Sequence, residues 1–155
     1  MNTIIWCKKQ KNGIKIQDPN DNLSCEYYQN AEESLRVLKS IKQTHSNMWL
    51  ATTKYYIEYF AIYSILMKLG IKCEIHECTI ALTQFLENQN IIEKGITKML
   101  EKDKELRIDN QYYLKNKSVD IDFDELSDFL LSIRKSLDDL NRSKIEELRN
   151  MIKDF

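Results

Sequence analysis

Cys73, His76 and Cys78 fall within one short stretch, with Glu77 between the last two. Thiolate and imidazole are zinc ligands, but a structural zinc site needs a second ligand pair. The remaining candidates, Cys7, Cys25 and His45, stand at no motif spacing to one another. On a helix, His76 and Cys78 also point about 200° apart. No metal is expected. The string His76-Glu77 opens like a metalloprotease helix, yet Ile80 occupies the place of the second histidine. Cys73 and His76 can be written as a nucleophile and its base, with Glu77 nearby. The chain's few glycines supply neither the sharp turn that exposes a nucleophile nor a phosphate loop, and buried cysteines on helix faces are the plainer reading. Acid pairs such as Asp138-Asp139 and Glu146-Glu147 share their segment with Arg142, Lys144 and Arg149 and read as a solvated face.

His76 stands apart. It lies where a new helix opens after Gly70, so free backbone N–H groups favour an anion there, and Lys72 is close in sequence. It can serve phosphate binding or general acid–base work. It can equally be a junction histidine, hydrogen-bonded to a carbonyl or a tyrosine hydroxyl, that sets the angle between two helices. Arg107 is the cation best suited to phosphate, because its planar fork matches the oxygens. Arg107 and Asp109 also read as a polar clasp that holds a helix end against Tyr55, Tyr56 or Tyr112. Before the first acid at Asp18, Lys8, Lys9, Lys11 and Lys15 accompany Trp6. That arm can stack on a base and touch phosphates, or simply lie solvated.

A mostly helical chain must position these groups. Of its 155 residues 43% are hydrophobic and 30% charged, which excludes a disordered tail, while Gly 3 and Pro 1 disfavour a turn-rich β fold. Lys+Arg 23 against Asp+Glu 24 leaves a net charge of -1, so no whole-body attraction to nucleic acid or anionic lipid is expected. No stretch is apolar for the length of a bilayer, and the first residues run in the reverse order of a secretory signal. Four cysteines are too sparse for a disulfide framework at this size. A cytoplasmic, reduced, single-domain protein is expected, with no membrane partner.

Residues 1–22 read as an arm. Within it 3–7 and 14–16 are β-prone, and Asn12-Gly13 suits a hairpin turn between them. Residues 23–155 form the helical body. A first helix over 24–44 carries an apolar stripe of Tyr28, Ala31, Leu35, Leu38 and Ile41. A second, over 47–69, is charged only at Lys54, Glu58 and Lys68. Being apolar on nearly every side, it should be central, enclosed by other helices or by a second subunit. Ser46 or Asn47 caps it, and Gly70 ends it. A third begins near Glu74. A fourth spans 90–113, with Ile92, Ile96, Met99 and Leu106 on one face. Asp122 and Glu125 form a capping box ahead of Leu126, Leu130, Ile133, Leu137 and Leu140. Leu148 and Ile152 continue that beat after a slip, as one long final helix. The expectation is an all-α, up-and-down bundle of four to five helices, with a short N-terminal β-hairpin as an option.

The blocks from Tyr27 to Tyr113 resemble the HEPN superfamily of small helical proteins. The resemblance rests on Tyr28-Gln29-Asn30-Ala31-Glu32-Glu33-Ser34-Leu35, on the Tyr55-Tyr56 pair in the central helix, on Leu69-Gly70-Ile71 followed by His76, and on Arg107-Ile108-Asp109-Asn110-Gln111-Tyr112-Tyr113. It implies a homodimeric bundle, often paired with a minimal nucleotidyltransferase. One branch consists of ribonucleases of toxin–antitoxin systems, which set an Arg a short run ahead of a His. Here neither His45 nor His76 has an Arg at that spacing. The resemblance therefore implies first a non-catalytic partner or binding subunit for a nucleotidyltransferase or a nucleotide-bearing ligand. The alternative is a divergent, metal-independent ribonuclease acting on RNA, with His76 and Arg107 as catalytic candidates. The ligand-binding set is Tyr55, Tyr56, Lys72, His76, Arg107, Asp109 and Tyr112, and no cofactor is expected.

Overall fold

Helix α3, Asn47–Leu69, is the axis of the molecule. The Ser46 hydroxyl accepts from the backbone N–H of Trp49 at its start, and Gly70, in the left-handed region at φ 71°, closes its end. Between these caps Ile57, Ala61, Ile62, Ile65, Leu66 and Leu69 are wholly buried, as a helix apolar on most sides must be. The computed structural model describes residues 3–155; residues 1 and 2 of the arm lie outside it.

Helix α2, Asp21–Ile41, lies along α3, with Tyr28, Ala31, Leu35 and Leu38 on its buried stripe. Its cap is Asn20, whose side chain accepts from Leu23 N–H at 2.9 Å. Two buried hydroxyls of α2 find carbonyls on its neighbours: Ser24 donates to Ser64 of α3 at 2.7 Å and Tyr28 to Leu130, further along the chain, at 2.8 Å. A 3-10 turn, Lys42–Thr44, and His45 in the left-handed region join α2 to α3. Beyond Gly70 come strand β2 (Ile71–Lys72), helix α4 (His76–Asn88) and helix α5 (Ile96–Gln111), followed by α6 (Phe123–Asp139) and α7 (Arg142–Asp154).

The fold is helical as expected, but it has seven helices among the described residues rather than four to five. The added helices have physical causes. Residues Thr3–Lys9 form helix α1 rather than a strand, and β1 (Lys15–Ile16) pairs antiparallel with β2, Lys15 opposite Lys72 and Ile16 opposite Ile71. The N-terminal hairpin is thereby corrected. A lone two-stranded hairpin cannot support itself in water, and the second strand comes from the segment after Gly70. The single long final helix is also corrected. Leu140 leaves helical geometry at ψ 98°, and the Asn141 side chain accepts from Lys144 N–H at 2.8 Å to start α7. The eight-residue gap from Leu140 to Leu148 is this break.

Two further differences concern the site. Helix α5 begins at Ile96 rather than near residue 90, capped by the Glu87 carboxylate, which accepts from Gly95 N–H, Thr97 N–H and the Thr97 hydroxyl. Of the expected Ile92-Ile96-Met99-Leu106 line, Ile92 and Ile96 are buried and Met99 packs against the core, but the buried face continues through Leu100 into the polar Asp103, Arg107 and Asn110 rather than through Leu106. The expectation of four reduced cysteines is corrected as well. Cys7 of α1 and Cys78 of α4 form a disulfide, with Cα atoms 5.7 Å apart at a sequence separation of 71, leaving Cys25 and Cys73 free. Spacing alone could not show this, because the β1–β2 pairing is what brings the arm beside α4. Among the described residues no helix is long and apolar enough to cross a membrane.

Candidate functional site

Helix periodicity places Tyr55, Tyr56 and Tyr59 on neighbouring faces of α3, and α4 starts with His76 directly against them. The Tyr55 hydroxyl and His76 Nδ1 are hydrogen-bonded at 2.7 Å, and the Tyr59 ring centroid is 5.0 Å from the imidazole. Arg107 arrives from α5 on the other side of Tyr55. Its Cζ lies 5.1 Å from the Tyr55 ring centroid, 5.5 Å from that of Tyr56 and 5.6 Å from that of Tyr112. Three aromatic faces thus bracket one guanidinium, a favourable arrangement for a cation. Its hydrogen bonds are long: Nη1 donates to the Tyr56 hydroxyl at 3.4 Å and Nη2 to the Tyr112 hydroxyl at 3.3 Å. Nε is buried with no partner, and no carboxylate lies within 4.0 Å of this guanidinium among the described residues.

Tyr55, Tyr56, His76, Arg107 and Tyr112 therefore meet in one place. Lys72 and Asp109 do not join them. Lys72 is exposed and paired with Glu74 at 2.9 Å. Asp109 is held by Lys115 and Lys117 at 3.1 and 2.6 Å, which keeps its carboxyl below the usual range, and it lines a separate cleft of about 250 Å³ with Lys54 and Asp103. Tyr59 was missed by the sequence reading, although its position four residues after Tyr55 was the available signal. Glu58 and Asp103 were missed too. They face each other behind the tyrosines, buried between α3 and α5, with Lys54 ion-paired to Asp103 at 3.0 Å. The signal for Glu58 was a lone acid in an otherwise apolar helix.

Charge sets the protonation of the site. Burial, then the positive charges of Arg107 and Lys104, push the His76 imidazole below its ordinary 6.5, while burial pushes the Tyr55 phenol up. At neutral pH the pair is a neutral imidazole and a neutral phenol. Because the folded value of His76 is lowered, its contribution to stability is present above 6.5 and is lost as pH falls through the lowered value. Removing the Arg107 charge by Arg107→Gln should move the His76 titration upward in an NMR pH series. An unchanged midpoint would show that the two side chains do not sense each other.

No protein-family model, curated protein or solved structure matches this chain. The site must be read from its own chemistry. Among the described residues, no group of three or more His, Cys, Asp or Glu side chains is arranged to hold a metal ion. What the geometry offers is a buried cation without a counter-ion, a neutral imidazole whose Nε2 has no protein partner among the described residues, and tyrosine rings of which Tyr112 is largely exposed. Such a set can accept an anion at Arg107 and stack a flat group on Tyr112.

Proposed function

We propose that the chain is a HEPN-like helical protein that binds a nucleotide-bearing ligand at Arg107 and His76, and acts as a partner subunit rather than as an enzyme. The observation that carries this reading is Arg107: 6% exposed, without a carboxylate, and with one nitrogen unpartnered. A buried charge is costly unless it is paired, and a ligand phosphate supplies the missing pair with charge-assisted hydrogen bonds. The adjoining Tyr112 supports a base or other flat group beside the phosphate. A nucleotidyltransferase partner is supported by the sequence resemblance alone, and co-purification from the native source tests it. A second copy of the chain as partner is likewise supported by the sequence resemblance, and Trp49, Tyr113 and Leu114 are exposed apolar side chains that it could cover.

Titration calorimetry with AMP and ADP as probes tests the ligand reading. Binding by the native chain should weaken about tenfold or more in Arg107→Gln, the loss of one charge-assisted contact. Arg107→Lys should recover only part of it, because lysine lacks the fork. No binding of either nucleotide, or equal binding by Arg107→Gln, would end the proposal.

One observation favours a second reading as a metal-independent ribonuclease: the neutral imidazole of His76 shares Tyr55 with the Arg107 guanidinium. His76 would take the proton from a 2′-hydroxyl and Arg107 would stabilise charge on the phosphorane. RNA cleavage in the presence of a chelator, lost in a folded His76→Ala variant, supports that reading. Cleavage that survives the substitution removes it.

A further inference from the structure

The basic, aromatic arm is fastened to the body in an unusual way. Helix α1 has seven residues, far below the length at which an isolated helix holds together in water. Its only fully buried residue is Cys7, the residue that carries the disulfide. Trp6 is half exposed, and Ile4 is only partly covered. The other ties are the Cys7 carbonyl, which accepts from Ile14 N–H at 3.1 Å, and Lys8 Nζ, which donates to the carbonyls of Ile152 and Lys153 at 3.1 and 2.8 Å, at the far end of α7. From residue 12 onward the chain is anchored independently. Glu74 N–H donates to the Asn12 carbonyl at 3.0 Å, Ile14 is buried, and β1 pairs with β2. A surface groove of about 430 Å³ is lined by Thr3 and Ile4 on one side and by Ile80, Phe85 and Phe155 on the other.

We propose that the Cys7–Cys78 disulfide is a redox latch: oxidised, it holds α1 on α4, and reduced, it releases residues 3–11 while the rest of the fold stays intact. The step is a two-electron reduction by a small thiol of the glutathione type, which reaches the fully buried Cys7 and Cys78 when the short α1 opens locally. Two such thiols become one disulfide, the Cys7–Cys78 S–S bond breaks, and Cys7 and Cys78 each end as a thiol. The free Cys73 does not substitute for the external thiol. Cys73 is buried, its Sγ donates to the Ile75 carbonyl at 3.2 Å, and burial pushes its thiol up, away from the reactive thiolate. Release frees Trp6, Lys8, Lys9 and Lys11 as an extended cationic segment and bares the α4 surface around Phe85. The proposal is independent of what binds at Arg107.

The test uses the full chain equilibrated in glutathione buffers from fully oxidised to a large excess of the reduced form. Alkylation and mass measurement give the fraction of disulfide, and hydrogen exchange by peptide gives the state of each helix. Amides of residues 3–9 should exchange about tenfold faster or more in the reduced protein, with α3 unchanged. A Cys7→Ser chain should show the fast exchange in every buffer. Four results would overturn the latch: a disulfide that survives excess reduced glutathione, protection of residues 3–9 that ignores reduction, protection of residues 3–9 that persists in Cys7→Ser, or loss of α3 protection together with α1. The last would make the bond a global staple.

Discussion

Lys54→Met should destabilise the protein by about 3 kcal/mol near neutral pH, and most of that loss should disappear in acid. The reason lies in the seam between α3 and α5. Lys54 Nζ is 3.0 Å from Asp103 Oδ2, and one turn further along α3 the Glu58 carboxyl is completely buried. As a carboxylate, Glu58 would meet no donor with either oxygen. Protonated, it can donate to Asp103. Burial first, then that hydrogen bond and the Asp103 charge, hold its pKa well above the ordinary 4.5. The seam thus contains a protonated acid, a carboxylate and one ammonium. Removing the ammonium leaves Asp103 charged, dry and unpaired. Because the Glu58 carboxyl has a raised folded value, its contribution is complete below the ordinary carboxylate range and is lost as pH climbs. Urea midpoints at about pH 5 and about pH 8 should therefore diverge for Lys54→Met. Adding Asp103→Asn should restore most of the loss, since an amide needs no counter-ion. Glu58→Gln alone, which keeps a donor toward Asp103, should be tolerated and should flatten the alkaline slope. A small deficit in Lys54→Met that does not change with pH would show that water reaches the seam and that the charges are not coupled.

That seam also marks where sequence reading stops. Periodicity locates a segment that buries apolar side chains: it placed α3 at its bounds and buried Tyr28, Ala31, Leu35 and Leu38 of α2, although α2 spans Asp21–Ile41 rather than 24–44 and Ile41 is only partly covered. Caps are local chemistry, so Ser46, Gly70 and Asp122 were legible at their own positions. The second half of helix α5 was not legible, because there its buried face is Asp103, Arg107 and Asn110, residues that the same logic assigns to solvent. Asp103 is buried because α3 brings Lys54 and the protonated Glu58 carboxyl to it, and that pairing is tertiary information. His76 and Arg107 were legible as candidates from their chemistry. Their meeting at Tyr55 was not, because it depends on how α4 and α5 approach α3. Asp109 and Lys72 show the converse error. Closeness in sequence suggested membership, but each found a nearer opposite charge, in Lys115 and Lys117 for one and Glu74 for the other. The disulfide lay further out of reach, since four cysteines permit several pairings and only the β1–β2 ladder selects one.

Gly70→Ala should cost about 3 kcal/mol or more, and the comparison with Gly95→Ala isolates why. Both glycines have positive φ, at 71° and 97°. A Cβ at Gly95 would meet nothing within 4 Å, so that substitution carries only the conformational cost, about 1 kcal/mol. At Gly70 the Cβ would stand 2.3 Å from the Gln17 carbonyl oxygen, 2.4 Å from Arg149 Nη1 and 2.7 Å from the Pro19 nitrogen. Only the arginine can swing aside. It is itself engaged, donating from Nη1 to the carbonyls of Gln17 and Leu69, both at 2.7 Å. Arg149→Met should therefore fail to rescue Gly70→Ala, because the two backbone clashes remain. The effect should reach the site as well. The Gly70 turn launches β2, Gln17 N–H donates to its carbonyl at 2.8 Å, and six residues later the chain delivers His76 to Tyr55. A displaced turn shifts that delivery, so the His76 titration should move toward 6.5 in Gly70→Ala and stay in place in Gly95→Ala. Equal costs for the two substitutions, or an unmoved His76 in a destabilised Gly70→Ala, would separate the turn from the site it is argued to position.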